Sequence, residues 1–74
     1  MTLSELSPGL SCRIKKIRVR GLVGQRLLDM GLFPGTLVLV VRNAPLVDPV
    51  ELKIDDQYLS IRHLEARGIE VDLI

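Results

Sequence analysis

The residues best suited to covalent or metal chemistry are a single cysteine, Cys12, and a single histidine, His63. Nucleophilic catalysis needs an activating base held by a third group, and no motif sets such a group beside either residue. Imidazole and thiolate are also the donors that borderline metals prefer, but here they have no companion ligands at metal-site spacing. Cys12 falls at a strand start, where a small core residue is expected, and both residues read as structural. Asp55-Asp56 could gather a hard cation, yet carboxylates in a turn are usually only solvated. Gly21-Leu22-Val23-Gly24 lacks the spacing and the lysine of a phosphate-binding loop. The expectation is a protein that is not an enzyme and that carries no cofactor and no specific metal site.

What remains is contact chemistry, and one segment concentrates it. In Arg26-Leu27-Leu28-Asp29-Met30-Gly31-Leu32-Phe33-Pro34-Gly35-Thr36 a short helix meets a glycine stop and a tight turn. Val23, Leu27 and Met30 share a helical face by spacing. Gly31 stands where a helix end calls for a left-handed residue, and Leu32 where an apolar side chain packs back on the last turn. Pro34-Gly35 has the residue types of a type II turn. A two-turn helix cannot point Leu27, Leu28 and Met30 into one narrow core, so part of its apolar surface is expected outside. Leu46 and Val47, at the tip of a loop stiffened by Pro45 and Pro49, are expected outside as well. An apolar patch rimmed by Arg26, Asp29 and Asp48 has the make-up of a partner-docking site. The candidate contact residues are Arg26, Leu27, Leu28, Met30, Leu32, Leu46 and Val47.

These residues need a frame. Seventy-four residues make one small domain, 1–74, with a core of Leu, Val and Ile, since Phe33 and Tyr58 are the only aromatics. Cys12 to Arg20 reads as a first long strand, and the Lys15-Lys16 pair breaks its alternation, which suggests a β-bulge. Gly21 to Gly31 is a helical insert. Leu37 to Arg42 is apolar on both faces and is expected to be central and covered. Two prolines make 43–49 a loop. Val50 to Ile54 alternates, Asp55-Asp56-Gln57 turns, and Tyr58 to Arg62 returns as a hairpin partner. His63 to Ala66 is one helical turn, and Ile69 to Leu73 a last strand. The fold class is mainly β: five short strands in a closed or half-open barrel, with a short α-helix between the first two long strands. The longest apolar stretch, Leu37 to Val41, is far short of the roughly 20 residues of a membrane helix. No direct membrane insertion is expected, and the lone cysteine with no signal-like N-terminus points to the cytoplasm.

Net charge is +1, but residues 1–42 hold seven of the ten Lys/Arg and only two of the nine acids. The halves are expected to complement one another within the fold. Arg13, Lys15, Lys16, Arg18 and Arg20 raise a nucleic-acid alternative, which the shortage of stacking aromatics disfavours. Proline-rich peptides are disfavoured for the same shortage.

The Arg26–Thr36 segment, the arm Leu3-Ser4-Glu5-Leu6-Ser7-Pro8-Gly9 and the loop Ala44-Pro45-Leu46-Val47-Asp48-Pro49 together resemble the FeoA family. Leu59-Ser60-Ile61-Arg62, Glu65-Ala66 and Ile69-Glu70-Val71 add to the likeness, which covers nearly the whole chain. The resemblance implies an SH3-like barrel akin to the C-terminal domain of iron-dependent repressors. It also implies a role in ferrous iron transport with FeoB, a membrane transporter whose cytoplasmic part is a GTPase. Three departures stand out: Asp55-Asp56-Gln57 where a glycine is common, Gly68 where a larger residue is usual, and Val47 where glycine is frequent. At the first, Asp56 or Gln57 is expected to accept an unusual φ. The expectation is an accessory protein that docks on FeoB and modulates it; the alternative is a metal-responsive or nucleic-acid-binding barrel. Self-association through the apolar patch or an exposed strand edge is a further expectation.

Overall fold

Strand alternation decides which side chains meet in the middle. In the computed structural model, which describes residues 1–74, five strands carry inward residues at every second position: β1 (Ser11–Ile17), β2 (Leu37–Arg42), β3 (Val50–Ile54), β4 (Gln57–Ile61) and β5 (Ile69–Leu73). Cys12 and Ile14, Val38 and Val40, Val50 and Leu52, and Ile69 and Val71 are the buried pairs. All neighbours are antiparallel, in the order β4-β3-β2-β1-β5, so the barrel is half open and β4 and β5 are its edges. Helix α1 (Gly21–Asp29) lies between β1 and β2, and the single turn α2 (His63–Ala66) between β4 and β5. The core cluster holds 14 residues and no aromatic, as the composition requires.

The expected bulge is present. Ile14 pairs with Val71 and Lys16 with Glu70, which leaves Lys15 as the extra residue. A second irregularity between Val40 and Arg42 had no signal in the sequence.

Three expectations are corrected. β1 ends at Ile17 rather than Arg20, so Arg18 and Arg20 do not share a strand face. The Arg18 N–H donates to the Gly68 carbonyl at 2.7 Å, and its guanidinium to Glu70 at 2.8 Å. β2 is central but covered on one side only, because Leu37 and Val41 are exposed. The β3–β4 turn is two residues long, with β4 starting at Gln57, and Asp55 takes the positive φ (52°) rather than Asp56 or Gln57. The N-terminal arm is a 3-10 turn over Leu3–Glu5, whose Leu3 joins Leu6 in the core.

Gly24 and Gly68 fix α1 to the barrel around Val19. A Cβ on Gly24 would collide with the Val19 carbonyl, and one on Gly68 would come within 2.5 Å of the Val19 Cγ2. A larger residue at 68 has no room while Val19 occupies that space.

Candidate docking site

The end of α1 follows from its glycine. Gly31 takes φ +95°, its N–H donates to Leu28 and that of Leu32 to Leu27, which is the hydrogen-bond pattern of a Schellman stop. The accompanying apolar pair, Leu27 and Leu32, is fully buried. Thr36 closes the next turn on the Phe33 carbonyl at 3.0 Å, with Gly35 at φ +94°. Leu27 and Leu32 therefore drop out as direct contacts: they plug the barrel and have no surface to offer. Met30 is half-buried, with its sulfur 3.9 Å from the Arg26 guanidinium.

The loop 43–49 presents its apolar residues. The Val47 N–H donates to Ala44 at 3.1 Å, so Pro45 and Leu46 occupy the centre of a turn in which Leu46 has φ +62°. Leu46 is 88% exposed and Val47 55%. His63 clamps this loop twice. Its backbone N–H donates to Asp48 Oδ1 at 2.7 Å, and its Nε2, as the protonated nitrogen, donates to the Ala44 carbonyl at 2.9 Å. Asn43 ties the loop's start to the N-terminal arm through the Leu6 carbonyl at 2.7 Å and the Ser4 carbonyl at 3.1 Å. The histidine thus has a positioning role, with no nucleophile or ligand set around it.

The expected contact residues do not share one depression. Leu28, 41% exposed, lies in a hollow with Lys16, Arg20 and Pro34. Leu46 borders another with Ser4 and Arg67, and Met30 a third with Phe33 and Leu37. Arg26 lines the largest, an open groove of about 790 Å³ where α1, α2, Pro49 and the end of β4 converge. The helix and the loop do flank one groove, but through Val23, Arg26 and Pro49 rather than through Leu28 and Leu46. Val19, Arg20, Arg62 and Leu64 line it too, with Ser60, Ile61 and Glu65, and none of these was among the candidates. The signal available in the sequence reaches only Val23, which the amphipathic reading of α1 already put on the Leu27 face.

Electrostatics at the groove centre on Glu65, which is nearly buried. Burial pushes its carboxyl up, but the Arg62 N–H at 2.9 Å and the Arg26 guanidinium outweigh this and hold it below its ordinary value. The first contact is half of a capping box for α2. All three salt bridges, Arg18–Glu70, Arg26–Glu65 and Arg42–Glu51, join the basic first half of the chain to the acidic second half. Burial raises the Cys12 thiol to about 11, which makes it a poor nucleophile. No three His, Cys, Asp or Glu residues cluster in a metal-binding arrangement.

An aliphatic, half-open barrel of five antiparallel strands with one inserted helix defines the SH3-like class. Within that class the chain belongs to the FeoA family, whose domain profile matches residues 1–73. It is 43% identical to a Fe(2+) transport protein A/Fe(2+) transporter FeoB fusion protein of Porphyromonas gingivalis, over 100% of this chain and 9% of that one. Iron(II) transport protein A from Clostridium thermocellum has a similar structure, at 40% identity and a TM-score of 0.91, over 100% of this chain and 46% of that one. A Stenotrophomonas maltophilia FeoA, described as an SH3 domain protein complexed with zinc, matches at 26% identity and a TM-score of 0.85, over 97% of this chain and 89% of that one. The likeness to IdeR of T. acidophilum, at 23% identity and a TM-score of 0.87 over 100% of this chain and 34% of that one, is limited to fold. The chain thus spans less than a tenth of the fusion protein and under half of the C. thermocellum protein. None of its own helices is long and apolar enough to cross a membrane.

Proposed function

We propose that this chain is a non-enzymatic accessory of bacterial ferrous iron uptake that docks, in the cytoplasm, on the GTPase part of a FeoB-like transporter and modulates it. The observation that carries the reading is Leu46. A leucine with positive φ sits in a conformation that costs an L-residue roughly 1–2 kcal/mol, and its side chain stands in solvent at the tip of a clamped turn. Such placement gives the barrel nothing, whereas an apolar partner would bury it. The fusion in P. gingivalis supports the choice of partner. In a fusion the linker keeps both parts at high effective concentration, which favours contact between them.

The test is a binding titration of the transporter's purified cytoplasmic part against this chain and against Leu46→Gly, Val47→Glu and Leu28→Glu. The reading expects the wild type to bind and the loop variants to bind more weakly while staying folded. Unchanged binding by all three sinks this choice of surface, and no binding by the wild type sinks the docking itself.

A further inference from the structure

The groove between α1 and α2 carries more positive charge than its one carboxylate balances. Arg20 and Arg62 are exposed, both line it, and neither takes part in any of the three salt bridges. The third arginine, Arg26, is matched by Glu65, the only acid in the lining. Helix α1 opens beside them with Arg20 at its N-cap, which supplies no side-chain acceptor for the first helical N–H groups. The partial positive charge of that helix end therefore adds to the two guanidinium groups outside the salt bridges.

Between the charges the surface is apolar. Val23 is exposed, Leu64 is 74% exposed, and Pro49 and Ile61 extend the floor. The groove also runs along an unpaired strand edge. The two-residue turn makes Ile54 and Gln57 a hydrogen-bonded pair of the β3–β4 ladder, and the alternation of antiparallel pairs then directs the N–H and C=O of Ser60 away from β3. Ser60 lines the groove.

We propose that this groove receives an extended segment of a partner protein in which carboxylates flank an apolar side chain, the carboxylates meeting Arg20 and Arg62 and the apolar group resting between Val23 and Leu64. The backbone of that segment would pair with Ser60, adding a strand to β4. Charge complementarity selects the acid, since three arginines face one carboxylate that is already engaged. A nucleic acid would satisfy the arginines but leave Val23 and Leu64 against water, and no aromatic lines the groove to stack a base. The inference rests on the docking reading above and names the surface and the chemistry of the segment it takes.

The experiment titrates the cytoplasmic part of the FeoB-like transporter with the wild type, an Arg20→Glu/Arg62→Glu double variant, Leu64→Ser, and a Lys15→Glu/Lys16→Glu control. Every variant lies at exposed positions, and its fold is checked by its amide spectrum. The expected result is a Kd raised about tenfold or more by the arginine pair and severalfold by Leu64→Ser, against less than about twofold for the lysine control. Overlapping peptides from the same transporter part should then bind only where acids bracket an apolar residue. Equal weakening by the arginine and lysine pairs reduces the effect to overall charge and overturns the groove. Bound peptides without acids, or competition by a single-stranded RNA, overturn it as well. If the wild type itself does not bind, the docking reading fails first, which keeps the two failures distinct.

Discussion

The turns at Phe33–Thr36 and Ala44–Val47 share one backbone plan: a proline, then a residue at positive φ, then an N–H that closes on the carbonyl three residues back. Ser7-Pro8-Gly9-Leu10 repeats the plan, closing at 3.2 Å with Gly9 at φ +92°. In two of the three the demanding position holds glycine, which meets it without a Cβ penalty. In the third it holds Leu46. The difference separates two kinds of segment. The 33–36 turn continues from Leu32 and the helix stop, and so belongs to the packing of the barrel. The 44–47 turn is held from outside by His63 and Asn43, and its own side chains touch little.

The harshest test of that division removes the plug. Leu32→Ala should cost about 2–5 kcal/mol, because a fully buried leucine leaves a cavity that the small core cannot close. Leu46→Ala should stay within about 0.5 kcal/mol, as for surface positions generally. Urea titration of both variants gives the comparison directly. A loss of under about 1 kcal/mol for Leu32→Ala would mean that the helix stop is not anchored in the core.

A milder pair of variants exchanges the two turns' residues. Gly35→Leu should destabilise by about 1–2 kcal/mol, the penalty of a Cβ at positive φ. Leu46→Gly should stabilise by roughly 0.5–1 kcal/mol, since relief of that penalty is partly offset by the greater unfolded-state freedom of glycine. The same Leu46→Gly change is expected to weaken partner binding, so stability and docking should move in opposite directions. If it instead destabilises the fold, Leu46 is packing against something, and the contrast between the turns collapses.

The sequence carried this contrast only in part. Glycine and proline spacing exposed the helix stop and the loop, because those residues impose backbone states that few others tolerate. Alternation located β3 and β5 to the residue, because one face of each must be apolar, and an unbroken apolar run located β2. β1 was read too long because Val19 is apolar at strand spacing, yet it packs between Gly24 and Gly68 instead of pairing in the sheet. The groove was missed because its residues come from three separate stretches of chain, and nothing local marks Arg20, Arg62 and Leu64 as neighbours of Arg26. Leu46 was correctly read as exposed, but its positive φ could not be foreseen, since a turn of this kind favours glycine or asparagine there.

The finest test uses acid. Glu65 binds its proton more weakly in the folded chain than in the unfolded one, where 4.5 is the ordinary value. Its contribution to stability is therefore fully present above about pH 4.5 and is lost as pH falls through the lower folded value. Glu70 is shifted in the same direction by Arg18, but that guanidinium is largely exposed, where salt screens the pairing. Unfolding measured between about pH 6 and about pH 3 should show a shallower acid loss in Glu65→Gln than in the wild type. In high salt, Glu70→Gln should leave the slope nearly unchanged. The two turns should part company over the same range. Glu65 caps α2, and α2 carries the histidine that clamps the loop, so protonating Glu65 loosens the support of the 44–47 turn. The Val47 amide, which closes that turn, should lose exchange protection in acid before Thr36, whose turn rests on the core. Simultaneous loss at both amides would show that the loop has no stability of its own to lose, and that its exposed leucine is held by the barrel after all.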